Sequence, residues 1–225
     1  DALLKNGADT VAAVVSQPDR PRGRRLVVAP CAVKAHAAER GIPVLTPENI
    51  NTPESVAALR GLSPDLLVIV AYGQILKTEV LCLAPAGCIN VHGSLLPKFR
   101  GAAPIAWAVA RGETVTGVTT MFVNERMDAG DVIFQRETPI GPEETAAELH
   151  DRLAALGADL LTETVAAIRA GTAPRHPQRQ SNATLAPKLK KADGRIDWRW
   201  PAAEIHNRVR AFTPWPGCVC EMPRG

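Results

Sequence analysis

Three side chains could do proton chemistry: Asn90, His92 and one of two nearby aspartates, Asp128 or Asp131. Asn90 and His92 close a short apolar run, Cys88-Ile89-Asn90-Val91-His92, and a turn follows, Gly93-Ser94-Leu95-Leu96-Pro97. Strand side chains alternate between faces, so residues two apart project to the same side. An amide donor would then sit beside an imidazole at the carboxyl end of a strand, which is where open α/β sheets bind ligands. Such a pair suits acyl or one-carbon transfer: the amide donates to an oxyanion, and the imidazole moves or stabilises a proton. A carboxylate against the ring would orient it and favour its charged form. Asp128 lies in the polar loop Glu125-Arg126-Met127-Asp128-Ala129-Gly130, and Asp131 opens the next apolar run. Spacing does not choose between them. The structural alternative makes His92 a hydrogen-bonded core residue and Asn90 a turn former.

The elements that must position these residues alternate. Strands are expected over 11–17, 43–45, 65–71 and 87–92, and helices over 31–40, 53–61, 78–83 and 104–111. Thr52-Pro53 is a helix start, and Gly41 and Gly112 are helix stops. This alternation predicts an open, mainly parallel, doubly wound α/β (Rossmann-like) sheet. The run 65–71 is almost wholly apolar, as for a strand covered on both faces. Strands over 116–124 and 131–138, joined by a short polar loop, predict an antiparallel hairpin near one side of the sheet. A long helix follows, from about 143 to 170, with Leu149, Leu153, Leu156, Leu160, Val165 and Ile168 on one stripe and His150 at the surface. Residues 171–187 show no periodicity and read as a linker. A short amphipathic helix over 202–212 then opens a second domain that the sequence does not complete. The resulting division is 1–171, 172–192 and 193–225.

The chain has 225 residues, 46% hydrophobic and 22% charged, enough to bury a core. No apolar run approaches the ~20 residues that span a bilayer, and a cytoplasmic, monomeric protein is expected. The start, Asp-Ala-Leu-Leu-Lys-Asn, has neither an initiator Met nor a signal pattern, and reads as a fragment beginning inside a helix. The five cysteines, Cys31, Cys82, Cys88, Cys218 and Cys220, lack CxxC spacing and read as reduced thiols; Cys218 and Cys220 lack clustered partners for a metal, and none is expected. Net charge is only +3, but it is concentrated. Arg20, Arg22, Arg24 and Arg25 share a loop whose prolines and glycine argue against a regular element, and Lys188, Lys190, Lys191, Arg195 and Arg199 form a second basic stretch. Two such patches suit a polyanion such as nucleic acid, or are plain solvated loops. No G-x-S-x-G, G-x-G-x-x-G or Walker pattern occurs.

Asn90-Val91-His92-Gly93-Ser94-Leu95-Leu96-Pro97, Gly101-Ala102-Ala103-Pro104-Ile105 and Asp128-Ala129-Gly130-Asp131 resemble the folate-dependent formyltransferases. Gln17-Pro18-Asp19-Arg20-Pro21, Ala71-Tyr72-Gly73, Arg195-Ile196-Asp197-Trp198 and Arg210-Ala211-Phe212-Thr213-Pro214-Trp215-Pro216 extend the resemblance across the chain, toward members that act on initiator methionyl-tRNA. The resemblance implies a catalytic trio of Asn90, His92 and Asp128, the aspartate being the first of Asp-Ala-Gly-Asp. It implies 10-formyltetrahydrofolate as donor, near Tyr72, Gly73, Gln74, Ile75 and Leu76, the turn Ser94, Leu95, Leu96 and Pro97, and the loop of Glu125 and Arg126. It implies an acceptor amine on the methionine of charged initiator tRNA, met by Arg20, Arg22, Arg24 and Arg25, with Leu26-Val27 standing where lysines are common in the family. It also implies a first strand with a Gly-Thr-Pro turn ahead of residue 1, and a small C-terminal β-barrel of which 193–225 is the start. The rivals are a formyltransferase for a small amine (an amino-sugar nucleotide or glycinamide ribonucleotide), and an RNA-binding module whose site is disused.

Overall fold

The computed structural model describes the chain except residues 23–26 and 222–225 and the side chains of Asn6, Arg22 and Val27. It folds as two compact units, residues 1–89 and 90–225.

In the first unit a short helix α1 (Ala2–Asn6) precedes strand β1 (Val14–Val15), which pairs in parallel with β4 (Val44–Leu45) across the intervening helix α2 (Ala32–Glu39). Val14 and Ser16 donate to the carbonyls of Pro43 and Leu45 at 2.8 and 2.9 Å. Between β1 and α2 the arginine loop departs from expectation. Arg20–Arg22 (β2) and Val27–Ala29 (β3) form an antiparallel ribbon, with Pro21 opposite Val28. A two-stranded ribbon has outward edges where a proline's missing N–H leaves no ladder bond unmade. Helix α3 (Pro53–Gly61) starts as expected, Thr52 Oγ1 accepting from the Ser55 N–H at 3.2 Å. Strand β5 is shorter than expected, Leu67–Ile69, and only half-buried; Ala71 at φ +47 turns the chain out, and Val70 is 59% exposed. After helix α4 (Thr78–Leu81) the chain enters β6 (Cys88–His92), beside which the Leu67 N–H meets the Gly87 carbonyl at 3.1 Å. Ile50, Val56, Leu59 and Val80 form this unit's core. Burial pushes the Cys88 thiol up to about 12, which marks it as packing rather than reactive.

The second unit contains the end of β6, helix α5 (Pro104–Ala110), strands β7 (Val115–Phe122) and β8 (Val132–Pro139), and helices α6 (Ala146–Arg169) and α7 (Ala202–Ala211). The β7–β8 pair is the expected antiparallel hairpin, with a register shift at Thr120/Met121. Helix α6 begins three residues later than read, because Thr145-x-x-Glu148 is a capping box: Glu148 N–H donates to Thr145 Oγ1, and Thr145 N–H to Glu148 Oε2. His150 is at the surface, as read. Helix α7 does not stand apart. Phe212 is fully buried and meets Trp107 of α5 edge-to-face at 5.8 Å, and buried Arg210 donates to the carbonyls of Gly141 and Glu144 at the head of α6.

The segment 171–187 is irregular, as expected, but it is not a free tether. His176 exchanges two backbone hydrogen bonds with Val132. Further on, Thr184 and Ala186 pair with the 97–103 turn. Backbone groups that the segment cannot pair within itself are satisfied by β8 and the turn, so the sequence's lack of periodicity hides a docked strap. Among the described residues no closed barrel occurs, and no helix is long and apolar enough to cross a membrane.

Candidate functional site

The end of β6 and the β7–β8 loop bring Asn90, His92 and Asp128 together inside the second unit. Asp128 is the hub. Its Oδ2 lies 3.7 Å from His92 Nδ1 and accepts from the Gly101 N–H at 2.8 Å, and its Oδ1 is 3.5 Å from Asn90 Nδ2. His92 is 6% exposed and Asp128 15%, so their attraction is screened far less than at a surface. Asp131 points elsewhere, pairing with Arg175 at 3.8 Å.

The other imidazole nitrogen determines what His92 offers. Nε2 is 2.9 Å from the Phe99 carbonyl, which only accepts, so Nε2 carries a proton. Nδ1 is therefore the nitrogen that exchanges protons, and it faces the carboxylate.

Two close approaches hold this geometry. Gly101 has φ +122, and a Cβ there would fall 2.6 Å from the Ala186 carbonyl oxygen, so only glycine lets the strap press the turn until its N–H reaches Asp128. A Cβ on Gly130 would fall 1.8 Å from the Phe122 carbonyl oxygen, which pins the exit of the 125–130 loop to β7. Asp128 itself sits at φ +48, an uncommon conformation for a residue with a Cβ.

The expected folate contacts separate into groups. Ser94 is fully buried, its hydroxyl donating to the Lys98 carbonyl at 2.6 Å while its carbonyl accepts from Thr119 Oγ1. Leu96 packs on Met121 and Val132. These two side chains build the turn. Leu95 and Pro97 are half-buried, and the Leu96–Pro97 peptide is cis. Glu125 and Arg126 are exposed and line an open cleft of about 520 Å³ with Arg100, Asn124, Ala129, Gln178 and Gln180.

Tyr72, Gly73, Gln74, Ile75 and Leu76 form a turn of the first unit. Gln74 braces it, Oε1 accepting from Ile50 N–H at 3.0 Å and Nε2 donating to the Glu48 carbonyl. Ile75 is 80% exposed; the Tyr72 hydroxyl is buried with no hydrogen-bond partner among the described residues, and burial raises its pKa. Arg20 is exposed and 3.8 Å from Glu48. The Arg22 backbone lies in β2, while the Arg22 side chain, Arg24 and Arg25 lie outside the described residues.

Sequence reasoning did not find Phe99, Arg100 or Gln178. Phe99 acts through its carbonyl, which has no signature. Arg100 is buried with its guanidinium on Gln178 and Gln180, and its pKa is lowered by that burial, against the pull of Asp128.

Comparison with known proteins places these residues in context. A family model described as formyl transferase matches residues 1–165, and one described as formyl transferase, C-terminal domain, matches 188–225. A methionyl-tRNA formyltransferase of Solibacter usitatus is 54% identical over 96% of this chain and 70% of its own length; one of Geobacter metallireducens is 50% identical over 98% and 70%. The crystal structure of an N-formyltransferase from Helicobacter canadensis, in complex with folinic acid and dTDP-3-aminofucose, superposes with a TM-score of 0.70 at 21% identity, covering 94% of this chain and 74% of that one. At that identity the likeness shows the fold, a Rossmann-like one with a mixed sheet.

Proposed function

The chain belongs to the formyl transferase family, among its methionyl-tRNA formyltransferases, and from that premise we propose that Asn90, His92 and Asp128 move a formyl group from 10-formyltetrahydrofolate to the α-amine of methionine on initiator methionyl-tRNA. The observation that carries the assignment is the Asp128 carboxylate lying against both the His92 ring and the Asn90 amide.

The neutral amine attacks the formyl carbon, forming a C–N bond and placing negative charge on the formyl oxygen. Asn90 donates an amide N–H to that oxygen, and the charged ring of His92 stabilises it. Collapse breaks the bond from the formyl carbon to the folate nitrogen; charged His92 gives its Nδ1 proton to that nitrogen, and the proton lost by the amine restores it, with help from Asp128. With Nε2–H held on the Phe99 carbonyl, the ring need not rotate between accepting and returning the proton. Acid–base help of this kind is worth about 10²–10⁴ in rate.

The folate contacts are Tyr72, Gly73, Gln74, Ile75 and Leu76 in the first unit, and, in the second, the turn Ser94, Leu95, Leu96 and Pro97 and the backbone of the loop that carries Glu125, Arg126 and Asp128. Arg20, Arg22, Arg24 and Arg25 meet the acceptor end of the tRNA. Residues 1–171 are the catalytic part, 172–192 join it to the start of a tRNA-binding part at 193–225, and the protein acts as a monomer in the cytoplasm.

In the full-length protein that carries this sequence, His92→Ala should lower kcat about 10²-fold or more and leave affinity for charged initiator tRNA unchanged; near-normal turnover would sink the assignment. Arg24→Ala should instead lower the salt slope of tRNA binding by about one. Calorimetry that detected tRNA binding but no folate binding would favour the RNA-binding alternative, and faster formylation of an amino-sugar nucleotide than of charged tRNA would favour the small-amine one.

A further inference from the structure

The strap residue Gln178 lines the cleft beside the 125–130 loop, and all the hydrogen-bonding capacity of its amide is used. Its Nε2 donates to the carbonyls of Asp128 at 3.0 Å and Gly130 at 2.7 Å. Its Oε1 accepts from Arg100 Nε at 3.1 Å and Nη2 at 2.7 Å. The orientation of the amide is unambiguous. Exchanging its oxygen and nitrogen would point an oxygen at two carbonyls and an NH₂ at a guanidinium, four repulsive contacts in place of four bonds.

The amide thus ties the two arms that meet at the site. One arm is the 125–130 loop, which holds Asp128 at φ +48. The other is the turn through Arg100, whose neighbours Phe99 and Gly101 supply the carbonyl on His92 Nε2 and the N–H on Asp128 Oδ2. Gln178 is itself held two residues beyond the His176–Val132 backbone pair. Without it, the Asp128 and Gly130 carbonyls lose their shared donor and the Arg100 guanidinium its bidentate acceptor, so each arm is freer to move.

We propose that Gln178 is a positioning residue for formyl transfer: through the Asp128 and Gly130 carbonyls on one side and Arg100 on the other, it sets the separation between the Asp128 carboxylate and the His92 ring. The hydrogen bonds of its amide go to Arg100, Asp128 and Gly130. The inference rests on the catalytic reading of Asp128 given above, and deepens it by assigning work to a segment outside the family motifs.

The test uses two variants in the full-length protein, with Asp128→Ala as reference. Gln178→Glu keeps the side chain's shape and the acceptor toward Arg100, but turns a carboxylate oxygen on the two carbonyls. Gln178→Ala removes both halves of the clamp. Kinetics are measured at a temperature where circular dichroism shows every variant folded. A displacement of about 1 Å at reacting groups can cost about 10²-fold in rate. The expected result is therefore a fall in kcat of about 10- to 100-fold for both variants, with KM for folate and for charged tRNA within about twofold. Should Gln178→Glu keep at least half of wild-type kcat while Asp128→Ala is inactive, the positioning role is wrong and the catalytic reading stands. A raised KM with kcat intact would likewise overturn it. If Asp128→Ala itself stays active, it is the catalytic reading that fails.

Discussion

Replacing Asp128 by Asn isolates the charge at the hub of the site. The amide oxygen can still accept from the Gly101 N–H, 2.8 Å from the native carboxylate, so the turn keeps its tie and the fold is undisturbed. What disappears is the attraction that a carboxylate 3.7 Å away exerts on the ring when the reaction charges it. At that separation two unit charges attract by about 4 kcal/mol at the effective dielectric of a partly buried site, and by about 1 kcal/mol in open water. The groups are 6% and 15% exposed, which puts the pair nearer the first limit. Each 1.36 kcal/mol is a factor of about ten, so Asp128→Asn should lower kcat by about 10²- to 10³-fold. The assay is single-turnover formyl transfer to charged initiator tRNA, with tRNA affinity measured separately and expected within about twofold of wild type. A loss below about fivefold, or a weakened KM with kcat preserved, would show that the carboxylate positions or binds rather than stabilising charge as the reaction proceeds.

Two further substitutions probe the frame. Gly101→Ala forces a Cβ to within 2.6 Å of the Ala186 carbonyl at φ +122 and should lose stability by about 1–3 kcal/mol, together with activity, because the N–H on Asp128 moves with it; Gly171→Ala, where nothing lies within 4 Å but φ is +69, should lose about 1–2 kcal/mol of stability and leave kcat unchanged in the same thermal and kinetic assays. Glu144 has its pKa lowered, mainly by the hydrogen bond from Arg152, so its contribution is complete above the ordinary value of 4.5 and is lost as pH falls through the folded-state value. The gap in urea midpoint between wild type and Glu144→Gln should therefore narrow between pH 6 and pH 3, and a gap that stayed constant or widened would contradict the assigned cause.

What could be read from the chain follows the range of the interactions involved. The Asn90–His92 pairing, the Thr52-Pro53 helix start, the closures at Gly41 and Gly112 (φ +66 and +70) and the β7–β8 hairpin are local, set by side-chain period, capping and backbone freedom within a few residues. The choice of Asp128 over Asp131 is not local: three residues apart on one loop, they part company because Gly130 pins the loop to β7 and Arg175 draws Asp131 away. The strap was illegible for a related reason. Residues 172–187 satisfy their backbone on distant partners, so they need neither apolar period nor strong propensity, and Gln178 looks like any polar linker residue until Arg100 is seen beside it. The β2–β3 ribbon was hidden by Pro21, which is tolerated there because a two-stranded ribbon has open edges. Thr145-x-x-Glu148 was legible and would have placed the start of α6 correctly.

The central claim is that His92 and Asp128 act as one unit in the chemical step. A double-mutant cycle on kcat tests it most directly, comparing His92→Ala, Asp128→Ala and the double variant in single-turnover formyl transfer from 10-formyltetrahydrofolate to charged initiator tRNA. Groups that act together lose their shared contribution once. The double variant should then be no more than about threefold slower than the slower single variant. A double variant slowed by the product of the two single effects would contradict the account, because His92 and Asp128 would be contributing independently.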